Sequence, residues 1–210
     1  MTRADQWFTP ATLTGASLTL APMRLTDAAD YLAALGNPED AAAVVAHLTF
    51  AQPEDEQTVR GIIRAALADA TRIPYVQRLT ATGEMVGTTS FYEVTPAVRA
   101  IAIGHTWIGR RFWRTGVNTE SKLIMLTRAF EGLGAERVVW HTDIRNVLSQ
   151  AAIERLGAQK EGILRHHRIR PDGSWRDTVQ YSMLSSEWPT VKQRLASAGR
   201  DVGARSQPAG

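Results

Sequence analysis

The sequence contains no cysteine, which excludes disulfide bonds and thiolate metal sites. No apolar run approaches the roughly 18 residues that a membrane-spanning helix needs. The N-terminus, MTRADQWFTP, has no apolar segment of the kind found in secretory signals. The net charge of the 210 residues is only +3, which is too weak for general nucleic-acid binding. These absences favour a cytoplasmic protein with no membrane anchor, no metal and no nucleic-acid partner.

Strand and helix patterns follow one another along the chain. Their order is a strand, helices, three strands, a helix, a strand, a helix and two final strands, which predicts a single α/β domain with a mixed sheet over residues 1–197. The small, polar tail at 198–210 is expected to be disordered. The expected strands are 17–25, 73–80, 84–94, 100–109, 136–142 and the two sides of a hairpin around RPDGSWR. The expected helices are 27–36 after an N-cap at Thr26, 38–45, 52–70, 118–133, 147–157 after an N-cap at Asn146, and 186–195.

A basic loop, GRRFWRTGVNTESK at 109–122, joins the strand at 100–109 to the next helix. Gly116 permits a positive φ or a close backbone approach, and a helix N-terminus exposes unpaired N–H groups with about half a positive charge. The loop arginines would add charge, so the pattern fits an anion site. From the residues alone, the alternative is a simple turn with solvated arginines. Neither GxxxxGK[ST] nor GxGxxG is present, which argues against nucleoside triphosphates and dinucleotides.

Two motifs in the second half of the chain resemble hallmarks of the GNAT acetyltransferases. WRTGVN (113–118) is similar to their acyl-CoA pyrophosphate loop, Q/R-x-x-G-x-G/A, with Gly116 at the first glycine. Trp113 and Asn118 depart from that pattern. NVLSQAAIERLGA (146–158) is similar to the Asn-x-x-Ser/Ala helix of the family. From about residue 100 to 195 the chain resembles the Rim-type ribosomal-protein N-terminal acetyltransferases, which implies a mostly antiparallel sheet with helices on both faces and a splayed strand pair.

The resemblance implies that acetyl-CoA is the donor and lies between the splayed strands. Its pantetheine arm would pair with backbone of Trp107 and Ile108 and would contact Asn146 and Ser149. Asn118 would in addition suit the N-cap of the helix. The residues expected near the CoA phosphates are Arg110, Arg111, Arg114, Thr115, Gly116, Val117, Asn118 and Thr119.

Proton transfer needs an acid and a base. In the Rim-type enzymes the helix serine is thought to protonate the leaving thiolate, and Ser149 occupies that position; the alternative is an exposed serine with a local hydrogen bond. Relatives often carry a glutamate in the strand where this sequence has Ala102. His105 is the nearest titratable group on that strand. A structural role for His105, with a water held by the backbone or by Glu93 as the base, is the other interpretation.

Two further charged clusters have competing interpretations. The run RHHRIR at 165–170 is typical of a solvated basic edge strand, with acceptor-side or dimer contacts as the alternative. A metal site is not expected there, because adjacent histidines on a strand point to opposite faces. Glu54, Asp55 and Glu56 lie at the start of the long helix at 52–70, where acids favour helix initiation; attraction of a cationic amine is the alternative.

The resemblance therefore implies an acetyl-CoA-dependent N-acetyltransferase. The acceptor would be a protein N-terminus, a polyamine or another small amine, and a homodimer is compatible with the sequence. The alternative is an inactive CoA-binding or interaction module, which the missing strand glutamate and Asn118 keep open. A Ser-His-Asp hydrolase is not supported, because no GxSxG motif is present.

Overall fold

The computed structural model describes residues 5–204, with side chains described for residues 5–197. Its secondary structure follows the predicted order, with an added short helix and strand near the N-terminus. No helix in this described part is long and apolar enough to cross a membrane. The helices are α1 (Asp5–Phe8), α2 (Ala28–Leu35), α3 (Pro38–Val45), α4 (Glu56–Ala68), α5 (Val117–Thr127), α6 (Val147–Leu156) and α7 (Trp188–Ala204). The strands are β1 (Leu13–Thr14), β2 (Leu18–Pro22), β3 (Ile73–Leu79), β4 (Met85–Thr95), β5 (Ala100–Ile108), β6 (Arg137–Asp143), β7 (Gln159–Ile169) and β8 (Trp175–Leu184).

Several helix boundaries differ from those expected. Thr26 is not the N-cap of α2, because Leu25–Asp27 form a 3-10 turn and Asp27 takes the cap position. The predicted helix 118–133 is α5 followed by a single π turn, Arg128–Gly132. Helix α7 extends through 198–204, part of the segment expected to be disordered, since it continues a helix already packed through Val191 and Leu195. Residues 205–210 of that segment lie outside the described residues.

The strands form one mixed, mostly antiparallel sheet in the order β1-β2-β3-β4-β5-β6-β8-β7, which confirms the predicted fold class. The β5–β6 pair alone is parallel among the strands that the structure describes. As expected for the basic run at 165–170, β7 is an edge strand.

Two hydrophobic cores lie on opposite faces of the sheet. One core joins α5, α6 and α7 to strands β2 to β6 and β8, and Met125, Val138 and Tyr181 are among its buried members. The other joins α2, α3 and α4 to Val76, Met85 and Trp107 of β3, β4 and β5. This second core contains no described residue of β6, β7 or β8. The α2–α4 face of the C-terminal strands is therefore left to polar side chains.

The sheet opens between β5 and β6. Their parallel pairing consists of Ala100–Arg137, Ile101–Val138 and Ala102–Val139, and it stops there although both strands continue. The expected splay is thus present. Because parallel strands run in the same direction, the gap widens towards the carboxyl ends of both strands, which lead to the N-termini of α5 and α6.

Candidate active site

The N-terminus of α5 is shaped by Gly116. This glycine has φ +91° and occupies the N-cap position, where no side chain caps the helix. Asn118 is therefore not the N-cap, because Val117 already begins the helix and places Asn118 inside the first turn. The Glu120 amide is the first to bond within the helix, to the Gly116 carbonyl at 3.0 Å. The amides of the three residues before it point out of the helix without an intrahelical acceptor, as an anion site requires.

The arginines of the loop have different surroundings. Arg110 forms ion pairs with Glu39 and Asp40 at 3.4 and 3.3 Å. Arg111 pairs with Glu84 and lies over the Phe112 ring at 4.7 Å. These three ion pairs are largely exposed, so each contributes at most about 1 kcal/mol and is little obstacle to a competing phosphate. Arg114, with φ +63°, makes no ion pair with any described residue.

The two tryptophans at the end of β5 hold the strand in place. Trp113 donates its indole N–H to the Ile108 carbonyl at 2.7 Å. The Trp107 carbonyl faces β4, 3.5 Å from Gln77 Nε2, while its indole N–H donates to Tyr31 Oη at 3.1 Å. The carbonyls of Trp107 and Ile108, two residues whose backbone was predicted to pair with pantetheine, thus already have neighbours within the chain. Trp113, which lacks the side-chain chemistry of Gln or Arg, instead ties the loop to β5.

Asn146 and Ser149 lie at the start of α6, directly beyond β6. The Asn146 Oδ1 atom accepts the Ser149 amide at 2.9 Å and caps the helix as predicted. The Ser149 hydroxyl has no hydrogen-bond partner among the described residues. His105 lies on β5, one wall of the gap, and Ser149 lies in α6, which follows β6, the other wall. No hydrogen bond joins the two side chains.

His105 sits at a bulge in β5. The register changes between Thr88–Trp107 and Ser90–Gly104, which leaves one extra residue on β5, and His105 has φ +49°. Its ring packs edge-on against Tyr92 at 5.1 Å. Desolvation, followed by the positive charge of Arg72, lowers the pKa of His105 to about 4. His105 is therefore neutral at pH 7 and a weaker base than an ordinary imidazole.

A hydrogen-bonded chain that the sequence did not reveal lies beside His105. Tyr92 Oη and His141 Nδ1 are 3.0 Å apart, and His141 Nε2 lies 3.1 Å from Gln180 Oε1. Because Gln180 Oε1 can only accept, Nε2 carries a proton, and in the neutral ring Nδ1 accepts from Tyr92. Gly104 permits the close approach, since a Cβ there would stand 2.7 Å from the Tyr92 ring. A histidine inside the apolar string RVVWHT was the available signal.

The other charged clusters take distinct roles. Asp55 caps α4 by accepting the Thr58 amide at 2.7 Å, which confirms the capping interpretation for that residue. His166 stacks on Trp175, whereas the His167 ring lies 5.6 Å from His141, so the two histidines serve different surroundings. Among the described residues, no three histidine or acidic side chains are grouped to hold a metal ion.

Comparison with known proteins identifies the family. A family model described as the acetyltransferase (GNAT) domain matches residues 17–159. The chain belongs to the GNAT acetyltransferases. Among relatives of this GNAT chain, a Bacillus subtilis protein provisionally named ribosomal N-acetyltransferase YdaF is 33% identical over 110 residues. That match covers 52% of this chain and 59% of YdaF, so the chain spans less than two thirds of that relative's length.

Solved GNAT structures match over most of the chain. A GCN5-related N-acetyltransferase from Brucella melitensis is 25% identical with a TM-score of 0.85, covering 90% of this chain and 85% of its own. Mycobacterium smegmatis RimJ, solved in complex with CoA-disulfide, is 25% identical with a TM-score of 0.71. The match covers 93% of this chain and 97% of RimJ. These similarities agree with the Rim-type resemblance of the sequence motifs.

Proposed function

We propose that this GNAT protein transfers an acetyl group from acetyl-CoA to a primary amine by direct attack in a ternary complex. The observation that carries the proposal is the uncapped N-terminus of α5 beside the open end of the β5–β6 gap. This space suits acetyl-CoA. One end presents amides of α5 that have no acceptor and could bind phosphates, and its walls are strand edges that are unpaired across the gap and could bond the pantetheine arm. The acceptor would be a protein N-terminus or a small amine.

The chain's own residues would act mainly by positioning. The amides of Val117, Asn118 and Thr119 would bind the pyrophosphate, and the Asn146 side chain would orient the pantetheine arm. Acetyl-CoA would supply the activated thioester. Ser149 Oγ would deliver a proton to the departing sulfur, while His105 or a water held by Glu93 would remove the proton from the amine.

Calorimetry with acetyl-CoA, followed by thiol release with a panel of amines, tests the function. We expect binding, and release of free CoA that depends on the amine. Binding without turnover on any amine would instead favour the inactive CoA-binding module, which Ala102 keeps open as the second candidate. No binding of acetyl-CoA would contradict both functions.

Replacing Ser149 by alanine should lower kcat by about 100-fold, the scale of general acid catalysis. The dissociation constant for acetyl-CoA should change little, because the cap on α6 uses the Ser149 backbone amide and not its hydroxyl. Steady-state kinetics and calorimetry measure the two effects. Ser149→Thr, which keeps a hydroxyl, is the control and should recover much of the activity. An unchanged kcat in Ser149→Ala would make the serine a merely local feature of the helix.

Replacing His105 by alanine should lower kcat by about tenfold, less than the range for a well-matched general base. The reason is its lowered pKa of about 4, which reduces the driving force for proton removal. The measurement is the pH profile of kcat and kcat/KM. If both the rate and the profile stay unchanged, a water held by the backbone or by Glu93 removes the proton.

A further inference from the structure

Arg176 on β8 is a buried guanidinium with unfilled hydrogen-bonding capacity. Its residue surface is only 8% exposed, and its Nε atom is buried without a hydrogen-bond partner among the described residues. The nearest carboxylate is Asp143, with Oδ2 at 3.9 Å from Arg176 Nε. Arg170 already holds both oxygens of that carboxylate, at 2.7 and 2.9 Å. A buried charge with empty donors is costly unless a ligand supplies the partner.

A second guanidinium lies near His105, at the residue that precedes β3. Arg72 donates from Nε to Ser90 Oγ at 2.9 Å and forms no ion pair with any described residue. Ser90 is the register partner of Gly104, which directly precedes His105. Arg72 is therefore held next to the β5 bulge with its two terminal nitrogens available.

Two acids near these arginines, Glu93 and Asp143, are already matched by other arginines. Arg168, the register partner of Arg176, reaches Glu93 at 3.4 Å. Asp143 is engaged by Arg170. Arg72 forms no ion pair with a described residue, and Arg176 has only the distant Asp143 carboxylate at 3.9 Å. The positive charges of Arg72, Arg176 and Arg168 lower the pKa of His105, and the negative charge of Asp69 only partly offsets them.

We propose that Arg176 and Arg72 bind a carboxylate of the acceptor, so that the accepting amine belongs to an amino acid or to a peptide with an acidic residue beside its N-terminus. The inference rests on the proposed acetyltransferase function and assigns its substrate class. A polyamine carries only positive charge and would be repelled by the same groups.

Carboxylate binding would also prepare the site for proton removal. A negative charge placed between the arginines offsets the positive field on His105 and so raises its pKa towards neutrality. The acceptor would thereby strengthen the base that removes its own proton. A guanidinium further suits a carboxylate because its planar fork of N–H groups can hold both carboxylate oxygens.

Matched acceptors test the proposal directly. We would compare a peptide beginning Ser-Asp with the same peptide beginning Ser-Asn, free serine with serinamide, and spermidine as the cationic acceptor. The wild-type kcat/KM should be about tenfold or more higher for the acidic member of at least one pair, the scale of one charge-assisted hydrogen bond. A preference within the first pair would show that the bound carboxylate is a peptide side chain, and a preference within the second would show that it belongs to a free amino acid. A preference for the neutral members or for spermidine would overturn the proposal.

Variants assign the preference to the named arginines. Arg176→Met should lower kcat/KM for the acidic members by about tenfold or more relative to the neutral members, and so remove the acid preference. Arg72→Met is the second variant, in case Arg176→Met fails to fold. Arg165→Met, which removes an exposed positive charge from the same hairpin, is the matched control and should keep the preference. Equal losses for acidic and neutral acceptors would contradict the assignment.

A binding measurement separates this inference from the proposed function. N-acetylated Ser-Asp and Ser-Asn peptides would be titrated into the CoA-saturated protein by calorimetry. Tighter binding of the acidic peptide that Arg176→Met or Arg72→Met abolishes would support the carboxylate site even if no amine were turned over. Equal binding, or binding of neither peptide, would overturn it whatever the acetyltransferase assay shows.

Discussion

Gly116→Val should lower the affinity for acetyl-CoA by about 100-fold or more while reducing the free energy of unfolding by only about 1–3 kcal/mol. The backbone at Gly116 lies at φ +91°, in the left-handed region that a valine tolerates poorly. Relaxing that angle would turn the first amides of α5 away from a bound phosphate, and the new methyl groups would crowd its approach. Calorimetry with acetyl-CoA and chemical denaturation measure the two effects.

Gly173→Val is the matched control for this change. Gly173 has φ +79°, and no atom lies within 4 Å of the position that a Cβ atom would take there. Valine therefore imposes similar backbone strain at the tip of the β7–β8 hairpin without a steric clash. We expect a comparable loss of stability and unchanged binding of acetyl-CoA. If Gly116→Val and Gly173→Val affect both quantities alike, Gly116 is only a turn residue.

Lys122→Met should stabilise the protein at pH 6 and lose much of that advantage by pH 10. Lys122 lies in α5 with 5% of its surface exposed and no carboxylate partner among the described residues. Its ammonium group donates to Thr106 Oγ1 at 2.8 Å and Thr89 Oγ1 at 3.2 Å. Desolvation lowers the pKa of Lys122 to about 7. Methionine fills similar space without the charge, and the two threonines keep their mutual hydrogen bond of 2.8 Å.

The pH dependence follows from the proton balance of Lys122. Below pH about 7 both the folded and unfolded states carry the proton, so the full cost of burying the charge is present. Between about 7 and the ordinary value of 10.5, the unfolded state alone holds the proton. The wild-type free energy of unfolding should therefore rise with pH in this window, by at most about 1.4 kcal/mol per pH unit relative to Lys122→Met.

Urea denaturation across pH 6 to 10 would measure this difference. Lys160→Met removes an exposed lysine and serves as the control, with a pH dependence parallel to wild type. Parallel curves for wild type and Lys122→Met would show that Lys122 titrates as an ordinary lysine.

The sequence predicted the fold because every element except the short α1 and β1 carried a local signal. Period changes separated helices from strands, Asn146 marked the start of α6, and Gly116 marked the start of α5. The β5–β6 gap was expected from the family resemblance, since the residues on either side read as ordinary strands. Ends of helices were less predictable, because the 3-10 turn before α2 and the π turn after α5 depend on packing.

The candidate site depended more on contacts between distant segments. Lys122 was missed because the apolar positions of α5 suggested one buried stripe, whereas the helix also buries Ser121 and Lys122 on its neighbouring side. The chain from Tyr92 to Gln180 joins strands that are far apart in the sequence. The pairing of Arg110 and Arg111 with acids from α3 and the β3–β4 turn was equally invisible, because no local pattern specifies such partners.

The gap between β5 and β6 divides the sheet into two halves, which only three residue pairs join. Their relative twist is consequently set by the packing of α5, α6 and α7 across one face rather than by a continuous run of backbone hydrogen bonds. Beyond these three pairs, the backbone groups that would join β5 to β6 in a closed sheet form no hydrogen bonds across the gap. A bound amide-bearing chain could supply them, so recognition and sheet completion would become the same event.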